Sequence, residues 1–140
     1  MDKINKLKSL LEEYYLVNWK DLLFHGWHHI VFVWKKSIIF ANYLNANQLL
    51  VQASALTHDL NYLIDKKSSA KKWEGLRIKF LEKSWFTNDE IQKINLIILE
   101  EEMFNRDNNI SIESKARSDA ETLFKSLPIT PVMFTGKYIL

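Results

Sequence analysis

Apolar residues recur along this chain at helical spacing in one segment after another. Ile4, Leu7, Leu10, Leu11 and Tyr14 are separated by threes and fours, which predicts a first amphipathic helix over residues 2–18. Asn18 to Phe24 reads as a turn. From about Gly26 to Leu44 runs an apolar segment holding Ile30, Val33 and Ile38. Its stretch Ile30-Val31-Phe32-Val33 makes a buried strand the competing reading, but the segment is too long for one strand and has no turn residue inside it, which favours helix. Asn47 is placed to cap a third helix running through Leu50, Val51, Ala55 and Leu56 to His58. Leu60 to Ser69 reads as a polar loop.

Lys71 to Lys83 repeats Trp73, Leu76, Phe80 and Leu81 and predicts a fourth helix. Thr87-Asn88-Asp89-Glu90 matches a capping box, in which a Thr and a Glu three residues later satisfy each other's backbone amides. A fifth helix follows through Ile94 and Ile98, broken at Asp107 to Asn109. A sixth starts at Ser111, continues through Ala116, Ala120 and Leu123, and ends at Pro128; Val132 to Leu140 allows a short last one. Gly is limited to three residues and Pro to two, both late, so the chain has few places to break. The pattern predicts an all-α single-domain bundle of six to seven helices over residues 1–140.

Composition narrows the function classes. At 140 residues, 47% hydrophobic and 26% charged, the chain is an ordinary globular domain in size and balance. The absence of Cys removes disulfides, zinc ribbons and thiol chemistry. A net charge of +2 with only three Arg argues against duplex nucleic acid as a partner. No apolar run approaches the roughly 20 residues of a membrane span, and no signal-peptide pattern opens the chain, so a cytoplasmic location and no membrane partner are expected. The oligomeric state, a homodimer included, is left open by the pattern.

All four His lie between positions 25 and 58. His25 and His29 are four apart and share a face if the helix begins by His25. His58-Asp59 closes the third helix, and a neutral imidazole beside a carboxylate is a common metal pair; the bland alternative is a surface pair at a helix end. A metal needs further ligands, which His29 and one later carboxylate would supply. Asp119, among Ala116, Ala120 and Leu123, is the best later carboxylate, because a buried acid is costly unless it is paired or binds metal. Its alternative is an acid favoured by the helix dipole. His28 is expected to be exposed or structural, Trp27 and Trp34 to fill core space, and Glu100 to Glu102 to be a solvated face.

These segments resemble the HD superfamily of metal-dependent phosphohydrolases. His25-Gly-Trp-His-His29-Ile-x-x-Val33 is similar to the family's "H-x-W-x-H-I-x-x-V" segment, Ala53-Ser-Ala-Leu-Thr-His58-Asp59-Leu to the helix leading into its His-Asp signature, and Ser118-Asp119-Ala120-Glu121-Thr-Leu123 to its "D-A-D-x-L" segment with Glu as the second acid. The resemblance is strongest over residues 20–127. It implies an HD-like fold, metal ligands at His29, His58, Asp59 and Asp119, and hydrolysis of a small phosphorylated molecule, nucleotides among the candidates. No His follows position 58, which favours a single divalent ion (Mn, Fe, Co, Ni, Zn or Mg) unless one of Glu100 to Glu102 contributes. Tyr62 stands where nucleoside-monophosphate-cleaving members often have Glu. Relatives often continue with more helix, so the chain is expected to be shortened at its C-terminus.

Asp59 is expected to hold the ion and orient the attacking water, and His25 to assist as a protonated group. Tyr62, Lys71 and Lys72 are the expected substrate contacts. Lys66, Lys67, Lys71, Lys72, Arg77, Lys79 and Lys83 together would form a positive rim that draws a phosphate, unless they are simply a solvated helix face. The competing function class is a non-catalytic metal- or nucleotide-binding regulatory module.

Overall fold

The computed structural model describes residues 2–18, 26–60, 74–102 and 110–126, and the regular elements among them are all helices. They are α1 (Lys3–Asn18), α2 (Trp27–Leu44), α3 (Gln48–Thr57), α4 (Glu74–Lys83), α5 (Asn88–Glu102) and α6 (Ile112–Ser126). Asn18 closes α1, where the helix expected over residues 2–18 and the turn expected from Asn18 meet, and Leu60 is buried rather than part of a polar loop. The rest of both loops, the start expected at Lys71 and the last short helix lie outside the described residues.

Local chemistry explains the helix ends. Asn47 caps α3, its side chain accepting a hydrogen bond from Leu50 N at 3.0 Å. At the start of α5, Thr87 N donates to Glu90 Oε1 at 2.9 Å and Glu90 N donates to Thr87 Oγ1 at 3.2 Å, completing the capping box. Ser111 Oγ accepts from Ser114 N at 3.1 Å and so starts α6. The strand alternative for α2 fails because the segment ends in a helical stop. Asn45 takes the left-handed conformation (φ 58°), and Ala46 N reaches back to Ala41 O at 2.8 Å.

The main core joins Leu7, Leu11 and Tyr15 of α1 to Ile30 of α2, to Leu50, Ala53 and Leu56 of α3, to Leu81 of α4 and to Ile91, Ile94 and Ile98 of α5. Trp27 and Trp34 pack against it from its edge, and the Trp34 indole donates to Gln52 Oε1 at 3.0 Å. Two smaller clusters hold α2, α3 and α6 together: Val33 with Ala55 and Ala120, and Ala41 with Val51 and Ala116. The Ala residues at these seams let the backbones approach closely, which brings the middle of α6 against the first turns of α2 and the end of α3. Buried hydroxyls inside α3 satisfy themselves, Ser54 on Leu50 O and Thr57 on Ala53 O.

Arg77 departs from its expected place in a positive rim. It is buried, its Nε donates to Asn95 Oδ1 at 2.6 Å, and Asn95 in turn donates to Glu74, so it joins α4 to α5. Lys79 and Lys83 are exposed; Lys66, Lys67, Lys71 and Lys72 lie outside the described residues. None of the described helices is long and apolar enough to cross a membrane.

Candidate metal centre

Three helices deliver acid–base side chains to one buried point. His29 sits in the first turn of α2 and is fully enclosed. His58 and Asp59 follow the last residue of α3, where the chain leaves the helix and adjacent side chains splay toward the same side. Glu121 comes from the middle of α6. His29 Nε2 lies 3.3 Å from Asp59 Oδ2 and 3.3 Å from Glu121 Oε2. His58 Nε2 lies 3.2 Å from Asp59 Oδ1 and 3.5 Å from Glu121 Oε2. The two imidazole rings meet edge to face, 5.6 Å between centroids.

The donor atoms of His29, His58 and Glu121 all fall within 4.8 Å of one another, a buried group that can hold a metal ion. His58 Nδ1 is 2.7 Å from the Ala55 carbonyl, which can only accept, so Nδ1 carries the proton. In the neutral ring Nε2 then holds a lone pair directed at two carboxylates. That buried nitrogen has no hydrogen-bond partner of good geometry. Two carboxylates facing a lone pair call for a positive charge between them, either a proton or a divalent ion. Two imidazoles and two carboxylates are a donor set that suits Mn, Fe, Co, Ni or Zn.

The electrostatics follow from the same geometry. Burial pushes the His58 imidazole down and Arg117 adds to this, but Asp59 and Glu121 outweigh both and raise it to about 10. The same balance raises His29, where burial is again overcome by Asp59 and Glu121. Burial would raise Glu121, yet the two imidazoles and Arg117 hold its carboxyl well below the usual carboxylate range.

The structure brings together His29, His58 and Asp59 of the expected set, while the α6 carboxylate at the imidazoles is Glu121 rather than Asp119. Asp119 is half-buried and makes no hydrogen bond or ion pair with a described residue. The two acids flank the fully buried Ala120 at about 100° on either side of it around the helix, so the apolar stripe alone cannot choose between them. Arg117 decides the matter. It is buried one turn before Glu121, with Nη1 3.3 Å from Oε2. The sequence offers no matching signal, since Lys115 stands four before Asp119 as Arg117 stands four before Glu121.

His28 is exposed, turned away from the site; partial covering of its ring, and then neighbouring His29, lower its pKa. Glu100 is engaged elsewhere, accepting from Ser111 and Ser114 at the start of α6. His25, Tyr62, Lys71 and Lys72 lie outside the described residues, as do the side chains of Glu101 and Glu102. Comparison of the chain with protein-family models, with curated proteins and with solved structures finds no match.

Proposed function

We propose that the chain is a metal-dependent phosphohydrolase of the HD type, acting on a small phosphorylated molecule such as a nucleotide. The observation that carries this reading is the buried meeting of His29, His58, Asp59 and Glu121 from three separate helices. An enclosed cluster of this kind is costly to build unless it holds a charge. The order of the residues along the chain agrees with the HD-like segments in the sequence.

His29, His58, Asp59 and Glu121 would hold one divalent ion. When bound, that ion supplies a Lewis acid for a phosphoryl oxygen and an acidified water. The protein's own part is positional. The Ala55 carbonyl fixes the His58 tautomer and so aims Nε2 into the site. Asp59 faces one imidazole with each of its oxygens, which orients both rings and leaves its carboxylate beside the reacting space to accept a proton from water. Arg117 holds Glu121 and offsets one of the two buried negative charges, easing the approach of an anionic substrate.

One observation favours the non-catalytic regulatory module instead. With one imidazole protonated, the two carboxylates are balanced by Arg117 and that imidazolium, so the cluster can stand closed as a purely structural ion network. Metal analysis of the purified protein, followed by a screen of phosphorylated metabolites with added Mn²⁺, separates the two. Stoichiometric metal with turnover supports the hydrolase. Metal without turnover across the screen supports a metal-binding module, and a protein that takes up no divalent ion refutes the hydrolase and leaves the closed ion network.

A further inference from the structure

Arg117 lies among the small buried residues of α6, Ser114, Ala116 and Ala120, and is itself enclosed. Arginine is almost never enclosed unless it is paired. Its Nη1 lies 3.3 Å from Glu121 Oε2, and that same oxygen lies 3.3 Å from His29 Nε2 and 3.5 Å from His58 Nε2. Three nitrogens therefore converge on one carboxylate oxygen. Two of them can ligate a metal ion. The third belongs to a guanidinium, which keeps its charge and has no lone pair to offer. An ion ligated by Oε2 shares that oxygen with a fixed positive charge. The field of the guanidinium also reaches the neighbouring ring: after burial, it is the next cause that lowers the His58 imidazole.

Two effects of Arg117 on a divalent ion oppose each other. Holding Glu121 in place helps, and outer partners of this kind are worth about tenfold to a hundredfold in affinity. A like charge beside the ion hinders, and unit charges ~4 Å apart at a protein's effective dielectric shift an equilibrium by roughly a thousandfold. Repulsion therefore outweighs orientation. The same charge decides what the loaded centre attracts. Asp59 and Glu121 cancel a divalent ion, ligating imidazoles are neutral, and the guanidinium is left over. We propose that Arg117 is a positioning residue that sets this charge: through Glu121 it loosens the hold on the ion, and once the ion is bound it leaves a surplus positive charge that recruits an anion such as a phosphate ester. The inference rests on the phosphohydrolase reading above and adds to it a trade-off between metal and substrate.

Arg117→Met tests it, since methionine is a flexible apolar side chain that fills much of the space and removes the charge. Calorimetric titration with Mn²⁺, and then with inorganic phosphate, is compared with wild type at one pH. The variant is expected to bind Mn²⁺ about tenfold more tightly and phosphate about tenfold more weakly. A purely structural role would move both affinities the same way. Arg77→Met is the control, because it removes a buried guanidinium that holds Asn95 instead, and it should leave both affinities as in wild type. Arg117→Lys keeps the charge and gives up the planar fork, so it should stay within about threefold of wild type in both titrations. That variant decides the matter if Arg117→Met does not fold; a larger change in it would mean that orientation outweighs charge. Both affinities weakened in Arg117→Met, neither changed, or only one moved overturns the inference and leaves the hydrolase reading intact. Wild-type protein that binds Mn²⁺ but no phosphate, or neither, brings down both.

Discussion

Arg117 and Glu121 stand one turn apart on α6 with Nη1 3.3 Å from Oε2, and both side chains are turned into the interior. A pair with this spacing on a solvated helix face is worth a few tenths of a kcal/mol. Here it is enclosed among two imidazoles and a second carboxylate, so its removal has consequences of another size. Arg117→Ala is expected to destabilise the metal-free protein by about 3–5 kcal/mol, because it leaves Glu121 buried without its fixed countercharge. Added Mn²⁺ should recover part of the loss by supplying positive charge at the same carboxylate. Thermal unfolding with EDTA and with Mn²⁺ reads both effects; equal loss under the two conditions would mean that no ion reaches Glu121.

Asp59→Ala is expected to abolish hydrolysis and weaken metal binding by roughly a hundredfold or more, since even outer-shell partners of metal ligands cost tenfold to a hundredfold. Far-ultraviolet circular dichroism should show the helix content nearly unchanged, because the Leu and Ile core of α1, α3 and α5 does not depend on this carboxylate. His28→Ala is the matched control and should keep both metal and activity, its ring lying outside the cluster. Full metal content in Asp59→Ala would remove Asp59 from the ligand set.

Metal uptake should release protons and strengthen as pH rises. The His58 imidazole, raised from its ordinary 6.5 to about 10, is charged in the metal-free protein at neutral pH, whereas a ligating imidazole must be neutral. The same shift stabilises the metal-free fold. Its folded value lies above its unfolded one, so the contribution is complete below about pH 6.5 and is lost as pH climbs through about 10. Calorimetry in two buffers of different ionisation enthalpy measures the proton count on metal binding. A count of zero at pH 7 would mean that His58 is already neutral.

The start of α5 makes a separate prediction. Thr87→Ala should cost about 1 kcal/mol by removing the side-chain half of the capping box. Glu90 is held below its ordinary pKa, first by Lys3 at 2.6 Å and then by the Thr87 amide. With the folded value depressed, its contribution is present above about pH 4.5 and fades as pH falls through the depressed value. Glu90→Gln should flatten that acid limb in denaturant midpoints measured from pH 3 to 6, and should cost under about 1 kcal/mol at neutral pH because the pair is part-exposed.

Much of the helical framework was legible because it rests on local signals. Asn47, Thr87 with Glu90, and Ser111 each mark a helix start by chemistry contained within four residues. The clustering of the four His and the resemblance of their segments to HD motifs drew His29 and the His58-Asp59 pair into one candidate set. The choice between Asp119 and Glu121 was not legible, since both neighbour Ala120 and only the docking angle of α6 on α2 selects one. Arg77 was misplaced for a related reason. In a run of basic residues nothing local distinguishes the one whose partner, Asn95, lies 18 positions away.

The seam between α2 and α6, closed by Val33 on Ala120 and by Ala41 on Ala116, also sets an order of events during synthesis. His29, His58 and Asp59 leave the ribosome more than sixty residues ahead of Glu121, and the helices that carry them can pair at once. Until α6 arrives, its side of the pocket is open and both imidazoles face water. A divalent ion that met the nascent chain would therefore be held only weakly, and any selection among metals would wait until the last described helix docks.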